Sequence, residues 1–83
     1  MVNAAQRLEW RELWQGQLAS EMEAACGACP DLNAAETQER RLQWLTWRQQ
    51  RIVARRSQLP AAPELAIALA VLEEMHQRIG GMP

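Results

Sequence analysis

Two cysteines spaced as Cys26-Gly27-Ala28-Cys29 and followed by Pro30 are the residues of this 83-residue chain whose pattern most directly suggests chemistry. A CxxC pair admits a redox or a zinc reading. Thioredoxin-type chemistry needs the attacking sulfur at a helix N-terminus, where the peptide dipoles stabilise thiolate. Cys26 falls at the end of a helical stretch, where the field opposes ionisation. Tetrahedral zinc needs four ligands, and the chain offers two cysteines and one histidine, His76. A closed site would take a second chain. The expectation is therefore a pair of inert thiols in an interhelical turn, with no metal and no cofactor.

His76 stands alone near the C-terminal end of a helical stretch, where a cation interacts favourably with the dipole. Nucleophilic catalysis would need a partner for it, and the only serines, Ser20 and Ser57, have no motif around them. Carboxylates such as Glu9, Glu12, Glu73 and Glu74 read as solvated faces, and Glu36–Arg40 has the i,i+4 spacing of helix support. The four glycines mark turns and the chain end and form no phosphate loop. No catalytic residue is assigned, and a non-enzyme is expected.

Tryptophan and arginine carry the stronger signal. At roughly 100° per residue, the stretch from Glu36 to Ser57 places Leu42, Leu45, Ile52 and Val53 on one face, continued by Ala34 and Ala35. Trp44 and Trp47 point elsewhere and share their side with Arg40, Arg48, Arg51 and Arg55. Trp44–Arg48 and Trp47–Arg51 are each spaced to stack as cation–π pairs. Tryptophan and arginine are the types that dominate binding hot spots. Trp44, Trp47, Arg48, Arg51 and Arg55 are accordingly the candidate partner-binding residues. The competing reading sandwiches this helix between its neighbours and buries both faces. A third admits nucleic acid: Arg40, Arg41, Arg48, Arg51, Arg55 and Arg56 form a basic stripe, and Gln43, Gln49 and Gln50 could read bases. Against it stand a net charge of −1 and the lack of any short helix–turn–helix unit.

The elements that must position these groups are three helices, at about 4–25, 34–57 and 63–79. Asn3 with Gln6, and Asn33 with Glu36, have capping-box spacing. Trp10, Trp14, Leu18, Met22 and Ala25 recur every three or four residues along the first helix. Gly27 and Pro30 close it, the Pro60 and Pro63 pair separates the second from the third, and Gly80-Gly81 stops the third. Strand alternation and hairpin turns are missing. The fold class is all-α: a long antiparallel helical hairpin plus a shorter apolar third helix. On that third helix Leu65, Ala68, Leu69, Leu72, Met75 and Ile79 form one stripe, with Ile67 and Val71 on the other side. This is more apolar surface than one hairpin obviously covers, so self-association as a homodimer, or a helical partner, is expected.

Composition sets the remaining bounds. Eighty-three residues make one small domain. The hydrophobic share of 48% excludes compositional disorder. Every one of the nine basic residues is arginine, the planar cation suited to stacking and bidentate pairing. The longest apolar run is far short of the ~20 residues that span a bilayer. With no apolar leader segment either, a soluble cytoplasmic protein is expected. The function class that fits is a non-catalytic protein-binding module: an assembly factor, chaperone, inhibitor or regulatory subunit acting through helix faces.

Overall fold

A computed structural model describes residues 2–27 and 31–81. Over these residues the chain forms α1 (Ala4–Cys26), α2 (Ala34–Gln58) and α3 (Pro63–Ile79), with no strand among them. The three elements agree with the capping and periodicity argument to within a residue at each end.

The three helix starts and the end of α3 have local causes. The Asn3 side chain accepts a hydrogen bond from the Gln6 amide at 2.7 Å, satisfying one of the orphan donors of α1. At the start of α2 the box is reciprocal. Asn33 Oδ1 accepts from the Glu36 amide at 2.8 Å, and Glu36 Oε1 accepts from the Asn33 amide at 3.4 Å. Pro63 occupies the first turn of α3, where its missing N–H costs nothing. Past the end of α3, Gly81 takes φ +68°, a left-handed conformation that a side chain resists.

The helices run antiparallel in succession. Arg40 and Arg41, early in α2, lie beside Ala25 and Glu23, late in α1. Gln38 of α2 donates to the carbonyl of Ile79, the last residue of α3. The result is an elongated bundle of 47 × 25 × 25 Å. Its core joins Leu18, Met22 and Cys26 of α1 to Leu45 and Ile52 of α2 and to Leu65, Ala68, Val71 and Leu72 of α3.

α3 is the hub, packing on both α1 and α2 more extensively than these two pack on each other. Two of its sides are therefore buried: Leu65, Ala68 and Leu72 are joined by Val71, while Leu69, Met75 and Ile79 pack partly against the same core. The apolar surplus of α3 is thus largely covered within the chain, which removes that ground for expecting self-association and leaves the Trp/Arg face of α2 as the other.

Four apolar expectations are corrected. Val53 is 50% exposed, and Ala34 and Ala35 are exposed too, although all three were expected on the core face of α2. Val53 follows Ile52 by a rotation of roughly 100°, enough to leave the narrow line along which α1 and α3 touch α2. Ala34 and Ala35 sit in the first turn, at the helix tip. On α1, Cys26 rather than Ala25 completes the buried stripe one turn after Met22.

Candidate functional site

α2 is the element that displays the candidate residues, and its outward side is decided by what its inward side holds. Leu45 and Ile52, two turns apart, are buried in the core, so the positions opposite them face solvent. Trp47 lies on that outward side and is 51% exposed. The Arg51 guanidinium covers its ring at 5.0 Å from the centroid. A cation over an indole face at this distance is held by the ring quadrupole, an attraction of about 0.5–1 kcal/mol at an exposed position. The pair presents a broad, stiffened, amphipathic surface.

The structure divides the five candidate residues rather than gathering them into one face. Trp47, Arg51 and Arg55 point outward and are exposed. Trp44 is half-buried and packs against the core, so it belongs at least in part to the interior. Arg48 turns toward α1, where its Nε donates to Glu21 Oε1 at 3.0 Å, and no stacking on Trp44 accompanies it. The reason is competition: a carboxylate within reach offers a guanidinium a charge-assisted hydrogen bond, stronger than an exposed cation–π contact. Sequence periodicity placed Arg48 on the right side of the helix. It carried no signal for a partner 27 positions away.

Electrostatics along α2 are one-sided. From residue 40 to residue 58 the chain holds six of its nine arginines and none of its ten acidic residues. Two of the six are neutralised by α1, Arg41 through Glu23 at 2.9 Å and Arg48 through Glu21. Among the described residues Arg51, Arg55 and Arg56 form no ion pair, and Arg40 reaches only the Ala25 carbonyl, at 3.5 Å. Beside Trp47, on the flank toward Val53, a shallow groove is lined by Thr46, Gln49, Gln50, Val53 and Ala54.

The other chemistry-bearing residues are scattered. Cys26 ends α1, is 2% exposed, and places its Sγ 3.8 Å from the Arg40 carbonyl oxygen, a weak hydrogen bond inside the core. Cys29 lies outside the described residues, so the CxxC reading is placed at its first position alone. His76 is half-buried on α3, its Nε2 unpartnered among the described residues. Among those residues no three of His, Cys, Asp or Glu come together as a metal-binding set. No helix among them is long and apolar enough to cross a membrane.

Like the Arg41 and Arg48 pairs, a charged contact between α1 and α3 lay outside the sequence reading. Arg11 of α1 and Glu74 of α3 form an ion pair. The hydrogen bond from Arg11 holds the Glu74 carboxyl below the usual carboxylate range, against a smaller opposing effect of desolvation, and in turn raises the Arg11 guanidinium. It fastens α1 to α3 at the rim of a groove lined by Gln15, Ala19, Met22, Met75 and Ile79.

No protein-family model, curated protein or solved structure matches this chain.

Proposed function

We propose that this protein is a non-catalytic protein-binding module that engages its partner through the outward face of α2. Trp47, solvent-exposed yet stiffened by Arg51, is the observation that carries the reading. A monomeric domain gains little by leaving an indole in water, whereas a partner that covers it gains a large apolar area at low entropic cost. Arg55 extends the surface along the helix. Trp44 and Arg48 support it from beneath, Trp44 through the core and Arg48 through Glu21.

Trp47→Ala tests this reading. A hot-spot truncation costs about 2 kcal/mol or more, so affinity for the partner should fall at least roughly thirtyfold. The helical circular dichroism signal and melting temperature should stay close to those of the parent chain. A photo-crosslinking residue at position 47, introduced in cells, should capture a protein, and the same group at exposed Gln77 should not. Loss of the fold in Trp47→Ala, or no crosslink from position 47, would defeat the proposal. Capture of nucleic acid, with binding that collapses steeply as salt rises, would establish the arginine stripe as a phosphate-binding surface instead.

A further inference from the structure

Resting on the reading of α2 as a binding surface, we infer that its partner is an acidic amphipathic helix, with carboxylates one helical turn apart beside a large apolar side chain. Charge complementarity carries the inference. The outward row Trp47, Arg51 and Arg55 has helical spacing and runs about 12 Å along α2, at ~1.5 Å per residue. No acidic residue interrupts it, and its guanidiniums form no ion pair among the described residues. Such a row favours a complementary anionic surface and repels a like-charged one.

The structure also shows how this helix already binds another. On its α1-facing side, α2 receives a helix that brings Glu21 to Arg48 and Glu23 to Arg41, with Leu18 and Met22 buried beside Leu45. That combination of carboxylates and apolar anchors meets arginines and apolar residues of α2. The outward face carries the same residue types as the α2 half of that arrangement at closer spacing, with Arg51 and Arg55 one turn apart where Arg41 and Arg48 are two, and Trp47 as the apolar element. What it lacks is the acidic helix. A second copy presenting the same face does not fit, because two rows of arginine would oppose each other. A nucleic acid satisfies the charge but leaves the carboxylate-and-apolar pattern of the inward side without a counterpart.

A displayed library of helical peptides, panned against the full chain, tests the inference without assuming a partner. Enriched peptides should carry at least two carboxylates at i,i+4 spacing next to Leu, Ile, Phe or Trp. Their affinity should fall at least tenfold for Trp47→Ala and for the double variant Arg51→Gln/Arg55→Gln, both of which should melt like the parent. A labelled oligo(dT) strand should show no saturable binding at 0.15 M salt. Enrichment of neutral or basic peptides that still require Trp47 would overturn the acidic partner and leave the binding face standing. No Trp47-dependent peptide at all would overturn both. Oligo(dT) binding that is lost in the double arginine variant would replace the acidic helix with nucleic acid.

Discussion

Side chains of similar type do unlike work here according to where the neighbouring helices stand. Leu45 is 0% exposed, and its truncation to Ala should destabilise the fold by about 2–5 kcal/mol through lost transfer energy and a residual cavity. Val53→Ala, on the same helix but half in water, should cost less than about 1 kcal/mol, and denaturant titration would separate the two. The Arg11–Glu74 pair predicts a pH signature. Glu74 titrates lower in the folded chain than in the unfolded one, so its contribution is complete above the ordinary carboxylate pKa. It is lost as pH falls through the lowered folded-state value. Arg11 stays charged throughout that range and adds no second transition. Melting temperatures of the parent and of Glu74→Gln should therefore differ at neutral pH and converge in acid. A gap that persists at the lowest pH would assign the effect of the substitution to something other than the ion pair.

At the scale of the helix, caps and periodicity explain why α1, α2 and α3 begin and end where they do. The reciprocal box at Asn33 and Glu36 satisfies two backbone N–H donors where the Asn3 cap of α1 satisfies one. Asn33→Ala should cost about 1 kcal/mol, measured by chemical denaturation. Asn3→Ala should cost less, since α1 begins with exposed residues through Glu9 and its first turns have little packing to lose. Hydrogen exchange in those turns should be fast in both proteins. Equal costs at the two caps would show that α1 is anchored from its first residue. These local devices could be read in the sequence because they act over three or four residues. What could not be read is the position of one helix beside another. Trp44 and Trp47 differ by three residues and share a face on a helical projection, yet only Trp44 is within reach of the core. The choice of Arg48 for Glu21, and the pairing of Arg11 with Glu74, likewise depend on tertiary register.

For the molecule as a whole, the segregation of charge governs how copies and partners meet. Face-to-face pairing of two α2 helices would set Arg51 and Arg55 of one copy against those of the other, so Trp47→Ala should leave the sedimentation mass of the isolated chain unchanged. A shift in mass caused by that substitution would place a second copy on this face. The wider consequence is mechanical. A net charge of −1 gives the molecule almost no long-range pull, but an acid-free positive edge on an otherwise acidic body gives it a direction. Within a Debye length of about 8 Å at physiological salt, a charged neighbour exerts a torque before it makes contact. The molecule is turned as much as drawn, and an acidic visitor meets α2 first.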